Sequence, residues 1–233
     1  MKLAIMQPYF FPYIGYFQLI NAVDEFVIYD NIEFTKKGWI NRNRILINGT
    51  DLVISLPLKK DSDYLHVKDR FLADTWGAER TKMLNRIAAL YRKAPYFKDT
   101  YLVLEKCIMY NERNLFKFIF NTIQTLIQYM NIDTKLIVSS FIPIDHQLKG
   151  EEKVMAICIE RKANIYINPI GGLELYDRKH FETNNLELQF QKTNKIIYSQ
   201  YNHEFIPSLS IIDVLMFNSL ADIKIMLGQY ELQ

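Results

Sequence analysis

The first 48 residues, MKLAIMQPYFFPYIGYFQLINAVDEFVIYDNIEFTKKGWINRNRILIN, constrain the fold more than any other stretch of the chain. The apolar run Leu3 to Met6 stops at Gln7-Pro8, and an aromatic, proline-rich turn leads to Gly15. From Tyr16 to Ala22 the apolar spacing predicts a helix, and a second apolar run, Glu25 to Tyr29, ends at Asp30-Asn31. Two strands joined by one helix form a βαβ unit, and such units place ligands beyond the carboxyl ends of their strands. Gln7, Tyr9, Asp30 and Asn31 fall there.

The rest of the chain repeats that alternation, with one interruption. Asn48-Gly49 is a hairpin turn signal between Arg44–Ile47 and the β-branched run Asp51 to Leu58. His66-Val67-Lys68 reads as a short strand. Apolar positions at helical spacing then recur from Thr75 to Arg92, Thr100 to Tyr110 and Asn114 to Met130, with Asn114 as the cap of the longest helix. Leu136–Ser140, Ile165–Ile167 and the alternating Leu186–Gln191 are expected strands. A helix beginning at Lys149-Gly150-Glu151 separates the first two. Ser210 starts a last helix, with Asp213 placed three residues on as in a capping box. The prediction is an α/β, Rossmann-like fold with a mainly parallel sheet: residues 1–74 and 131–233 form the α/β domain, and residues 75–130 a helical subdomain inserted into it.

Composition narrows the function classes. The chain has 233 residues, a formal charge of +2, and no charge run, so anion recognition must come from a local strip rather than from a basic face. Two cysteines, Cys107 and Cys158, are too few and too distant for a disulfide framework, which fits a reducing cytoplasm. The four histidines have no metal-ligand spacing, and no metal is expected. The longest apolar helix, Leu115 to Met130, carries Lys117, Asn121 and Gln124, so no membrane span is expected.

Four constellations could carry chemistry. The turn Gln7 to Gly15 follows the first strand, and Gly15 lets backbone N–H groups approach an anion; neither G-x-G-x-x-G nor a Walker motif is present. Aligning this turn on the paired-histidine turn of nucleotidyltransferases puts Tyr13 and Tyr16 where imidazoles would stand. The basic, amide-rich segment Lys36 to Arg44 contains Lys37, Trp39, Asn41, Arg42, Asn43 and Arg44. If it is extended, Arg42 and Arg44 share one face and the two Asn residues the other, a strip suited to a nucleotide diphosphate. His203, His66 and Asp30 are the candidate bases. Asn168-Pro169-Ile170-Gly171-Gly172 closes a strand and fits either a close backbone approach to a ligand or a tight structural turn.

Five blocks in order give the chain a further signature. QPYFFPYIGYFQLI, GWINRNRI, YRKAPYF (Tyr91 to Phe97), NPIGG (Asn168 to Gly172) and PSLSIIDVLMFN (Pro207 to Asn218) together resemble the WbqC-like family over nearly the full length. Around Gly171 the chain departs from the Ser-Gly-Pro form of many members. The resemblance implies a place in bacterial O-antigen, lipopolysaccharide or other surface-polysaccharide biosynthesis, and transfer of an acyl or aminoacyl group, such as glycyl, onto a nucleotide-linked amino sugar. Arg42 and Arg44 would hold the pyrophosphate, Trp39 or Tyr9 would stack on base or sugar, and Asn168 to Gly172 with Tyr198 to Asp213 would form the far wall. No permanently bound cofactor is implied. The donor is open among coenzyme A or acyl-carrier thioesters, an aminoacyl adenylate and aminoacyl-tRNA. A non-catalytic binding or assembly protein of a glycan-biosynthesis complex and a nucleotidyltransferase-like enzyme are the alternatives.

Overall fold

Side chains that alternate in and out along each apolar run need two packed layers, one on each face of the sheet. The computed structural model describes residues 1–233 and has that construction. Strands β1 (Lys2–Met6), β2 (Glu25–Ile28), β5 (Lys135–Val138), β6 (Ile165–Pro169), β7 (Glu187–Thr193) and β8 (Tyr230–Leu232) form one six-stranded sheet in the order β5-β2-β1-β6-β7-β8. All pairings are parallel except β7 with β8. Counting only the strands of this sheet, the order is that of the doubly wound dinucleotide-binding folds, with the reversal between β1 and β6.

The two faces bury different residues. Ala4, Phe26, Ile28 and Ile167 point to a 45-residue core shared with helices α1 (Ile14–Asn21), α2 (Trp76–Tyr91), α3 (Phe97–Ile108), α4 (Leu115–Tyr129), α7 (Ile211–Phe217) and α8 (Leu220–Met226). Leu3, Ile5, Val27, Tyr166, Leu188 and Phe190 point the other way, to a 13-residue core with α5 (Gly150–Glu160) and α6 (Arg178–Thr183). Strands β3 (Arg42–Ile47) and β4 (Thr50–Ser55) form a separate hairpin. Its turn is Asn48-Gly49, with φ of 45° and 77°, the two left-handed positions that a two-residue hairpin requires and that Asn-Gly supplies. Helices α2 to α4 lie between this hairpin and β5, and Asn114 caps α4 by accepting from the Lys117 N–H at 3.0 Å.

Three local expectations change. His66 to Lys68 is not a strand: Val67–Asp69 is one 3-10 turn, and only His66 pairs, with Glu33. Ser210 caps α7 by accepting from the Ile212 N–H, but Asp213 does not reach back to complete a box; its carboxylate turns into the core, where stronger donors meet it. The final helical stretch is two helices, because Ser219 and Asp222 form a capping box that starts α8 afresh.

Candidate active-site cleft

The sheet opens at its switch point. Strands β1 and β2 pair over four residues, whereas β1 and β6 pair only at Lys2 with Ile165 and Leu3 with Tyr166. Past those residues the carboxyl halves of β1 and β6 diverge. A cleft of about 1210 Å³ occupies the gap, with Ile5, Met6 and Gln7 on one side and Asn168 to Gly172 on the other. Crevices outside the carboxyl ends at a strand-order reversal are where open α/β sheets bind ligands.

On the β1 side the chain arranges neutral hydrogen-bonding groups. Gln7 Nε2 donates to the Tyr9 hydroxyl at 2.8 Å, and the buried Tyr16 hydroxyl donates to the Gln7 carbonyl at 3.1 Å. Because the Tyr9 oxygen accepts from Gln7, its own proton is free to point into the cleft. Tyr13, which also lines the cleft, lies over Gly15: a Cβ at Gly15 would meet its ring at 2.4 Å and the Thr193 hydroxyl at 2.6 Å. Gly15 is thus the close-packing point of α1 against Tyr13 and β7.

On the β6 side Tyr166 donates to Asn168 Oδ1 at 3.1 Å, and Asn168 Nδ2 donates to the Pro169 carbonyl at 3.1 Å. A Cβ on Gly172 would stand 2.0 Å from Asn168 Nδ2, whereas one on Gly171 would meet nothing within 4 Å. Gly172 exists here for the approach of the Asn168 amide. Tyr176 closes this side with its hydroxyl 3.2 Å from that of Tyr166.

The third wall is the base of the β3–β4 hairpin, and here the basic strip divides. Trp39 and Arg44 line the cleft, and the guanidinium carbons of Arg42 and Arg44 lie 5.6 and 6.0 Å from the Trp39 ring centroid. Arg42 turns back on its own loop, donating from Nε to the Gly38 carbonyl and from a terminal nitrogen to the Lys37 carbonyl. Lys37 itself is exposed. Asn43 also reaches the cleft, but its Nδ2 donates to the carbonyls of Phe10 and Phe11 at 3.1 and 2.7 Å and its Oδ1 accepts from the Arg44 N–H at 2.8 Å. These bonds hold Phe11 at φ 44°, a left-handed conformation unusual for a bulky residue. Asn41 faces away from the cleft and donates to the Leu56 carbonyl.

Asp213 fixes this hairpin from below. It is fully buried and accepts from the Tyr91 hydroxyl at 2.9 Å, the Tyr198 hydroxyl at 2.7 Å and Gln200 Nε2 at 2.7 Å, and Tyr91 in turn accepts from the Leu46 N–H of β3 at 2.8 Å. Burial holds its carboxyl above the usual carboxylate range, while the three donors pull it back. The blocks around Tyr91 and Asp213 therefore meet in a support beneath the cleft. Phe205, Pro207 and Ser208 form its actual wall on that side.

The candidate bases lie elsewhere. Asp30 is buried and accepts from the Ser140 N–H at 2.9 Å, and Asn31 bridges Ser139 and the His146 ring. Both thus staple the end of β2 to the segment after β5. His66 is exposed, with Nδ1 3.9 Å from Asp69. His203 packs its ring on Gly49 at the hairpin tip. None of these lines the cleft.

Sequence reasoning missed Lys192 to Lys195. They are the last two residues of β7 and the two that follow it, and they line the cleft, as does Tyr29 just past the end of β2. The rule that ligands sit beyond strand ends would have found them once β7 was placed beside β6.

The lining contains three cations, Arg44, Lys192 and Lys195, and no Asp, Glu or His. Its phenols Tyr9, Tyr13, Tyr29 and Tyr176 are all raised, burial being the first cause in each, so at neutral pH they keep their protons and serve as neutral hydrogen-bond donors. Lys153, buried with its ammonium 5.4 Å from the Tyr29 ring centroid, is lowered by burial and partly restored by Asp30. Burial pushes both Cys thiols up to about 12, so neither offers a thiolate. Such a site can neutralise an anion, stack on flat or apolar groups, and offer neutral donors to carbonyl or hydroxyl oxygens. No group of three or more His, Cys, Asp or Glu side chains is placed to hold a metal, and no helix is long and apolar enough to cross a membrane.

Comparison with known proteins agrees with the five blocks. A relative, "Uncharacterized protein Rv1507c" of Mycobacterium tuberculosis (strain ATCC 25618 / H37Rv), is 27% identical over 227 residues, covering 95% of each chain. No solved structure matches. Residues 7–225, which contain the whole cleft apart from its first two lining residues in β1, match the family described as WbqC-like, and the chain belongs to the WbqC-like protein family.

Proposed function

We propose that the cleft binds a nucleotide-linked amino sugar and transfers an acyl or aminoacyl group, such as glycyl, to its amine in surface-polysaccharide biosynthesis. The observation that carries the reading is a switch-point cleft lined by three cations and no carboxylate or imidazole. Arg44, Lys192 and Lys195 neutralise the diphosphate, Trp39 and the cleft tyrosines contact base and sugar, and the Gln7 and Asn168 amides bond to sugar substituents. A cationic cleft disfavours the sugar ammonium and so lowers its pKa, which delivers the neutral amine without a protein base. The amine nitrogen attacks the donor carbonyl, and the Tyr9 hydroxyl donates to the resulting oxyanion. The bond to the leaving group then breaks, and the nitrogen's proton goes to solvent or to that group.

Incubation with UDP- and dTDP-amino sugars and a panel of coenzyme A thioesters, acyl-carrier thioesters and aminoacyl-tRNAs should give an acylated sugar by mass spectrometry. Neither turnover nor nucleotide-sugar binding in any combination would overturn the reading. The lack of any histidine or carboxylate on the cleft wall favours a second one, a non-catalytic binding protein of a glycan-biosynthesis complex. It predicts tight nucleotide-sugar binding, abolished by Arg44→Ala, with no turnover alone.

A further inference from the structure

The basic strip has two sides, and the cleft uses only one. Behind it, where Asn41 points, a second pocket of about 580 Å³ is formed with the loop that follows β4. Its wall carries Lys36, Lys59, Lys60 and Arg70 against Asp61 and Asp63. Lys36 and Asp63 pair with each other at 2.7 Å, and Asp61 accepts from the Ser62 N–H, while Lys59 and Lys60 have no ion-pair partner. This leaves a cationic excess on a loop that contributes little to either core.

Arg70 distinguishes this pocket from a solvated loop. It is 5% exposed, its guanidinium carbon lies 4.5 Å from the centroid of the Phe34 ring, and one terminal nitrogen donates to the Ser62 carbonyl at 2.8 Å. Its Nε is buried with no partner. A guanidinium has five N–H donors in a planar fork, and a buried unpartnered donor carries a desolvation cost. No carboxylate of the chain takes that edge. An oxyanion in the pocket can accept from the Arg70 terminal nitrogen not engaged by Ser62 while Lys59 and Lys60 approach its other oxygens.

We propose that this pocket is a second anion-binding site, one that takes a phosphate group of a phosphorylated ligand. A phosphate fits better than a carboxylate because three cations converge on the pocket and a phosphate presents three or more acceptor oxygens to them. The site stands on Arg70 and its neighbours and is independent of what the cleft does. Because Asn41 faces it while Trp39 and Arg44 face the cleft, the strip 36–44 is a partition between two anion sites.

The test is a titration of the full chain with inorganic pyrophosphate, followed by backbone amide NMR and calorimetry. Binding should shift the amides of Lys59 to Asp63. Lys59→Gln/Lys60→Gln, which leaves both cores untouched, should weaken the affinity read at those amides about tenfold or more. Arg44→Ala should leave that affinity within about twofold while removing shifts at Lys192 to Lys195, so failure of the cleft is read separately. Amides 59–63 that stay still at about 10 mM pyrophosphate, or a Lys59→Gln/Lys60→Gln chain that binds within about twofold of the parent, would overturn the proposal.

Discussion

Replacing Tyr91 by Phe deletes one oxygen and breaks two buried bonds. The Leu46 N–H of β3 loses its acceptor at 2.8 Å, and Asp213 loses one of three donors, at 2.9 Å. The ring stays in place, since Tyr91 is fully buried against Phe217. A stranded buried N–H costs about 1–3 kcal/mol and a bond to a charged acceptor contributes about 1.5–3 kcal/mol. Set against the relief of no longer burying a hydroxyl, the net loss should be about 3 kcal/mol. For a chain of this size that corresponds to a melting temperature lower by about 6–12 °C. Tyr198→Phe is the internal control: it removes a donor at 2.7 Å, but Gln200 still serves the same carboxylate oxygen and no backbone group is stranded. Its cost should be about 1.5 kcal/mol, and the double variant should be non-additive because both bonds end on Asp213. The pH dependence has a definite sign. Asp213 is raised in the folded state, so its contribution is most favourable below its unfolded value, about 3.9, and is lost as pH rises through the folded value. Losing a donor raises it further, so the deficit of Tyr91→Phe should shrink as pH falls from neutral toward the unfolded value, about 3.9. Thermal and urea melts across that range measure this. A Tyr91→Phe loss no larger than that of Tyr198→Phe, or one that grows on acidification, would refute the description of Asp213 as a buried, donor-dependent carboxylate beneath the hairpin.

Three further outcomes follow from the geometry. Asn43→Ala should lower stability by about 2–3 kcal/mol, measured by urea unfolding, because it frees the carbonyls of Phe10 and Phe11 and lets Phe11 leave its left-handed conformation. Gly172→Ala should displace the Asn168 amide and weaken ligand binding in the cleft by about tenfold, whereas Gly171→Ala, which meets nothing, should leave both binding and melting temperature unchanged. Glu25 accepts from Arg161 at 2.7 and 2.8 Å and from Lys135 at 3.1 Å, and the Arg161 bonds first of all hold its carboxyl below the usual range. Its stabilisation is present above the unfolded value, about 4.3, and is lost as pH falls through the folded value; Glu25→Gln should flatten that part of the acid limb in chemical denaturation.

The fold was readable wherever local signals and burial agree. The β1–α1–β2 unit, the Asn48-Gly49 hairpin and the Asn114 cap each rest on neighbours in sequence, and each forms as expected. Asp213 shows the limit: three residues after Ser210 it has the spacing of a cap, yet its partners Tyr91 and Tyr198 come from distant parts of the chain and outcompete the helix end. Arg42 and Arg44 show another. Alternation puts them on one face, but only the turn at Lys37-Gly38 decides that Arg42 folds back while Arg44 reaches the cleft. Lys192 and Lys195 carry no local motif at all, and their importance arises from the pairing of β6 with β7. Short α6 and β8 escaped notice because six and three residues are too few for a period to register.

The early parting of β1 from β6 gives the sheet an internal selvedge. Strands in the middle of a parallel sheet are normally the slowest to exchange their amide hydrogens, because both edges of each are bonded. Here the ladder stops at Leu3 and Tyr166, and farther along Ile5 and Met6 of β1 and Asn168 and Pro169 of β6 line the cleft instead of pairing with one another. The amides of that short stretch at the centre of the fold should therefore exchange like those of an outer strand, which hydrogen-exchange mass spectrometry measures. An extended ligand group with its own N–H and C=O, such as an amide on a sugar, can fill that stretch as an inserted rung and restore the bonds the two strands leave unmade.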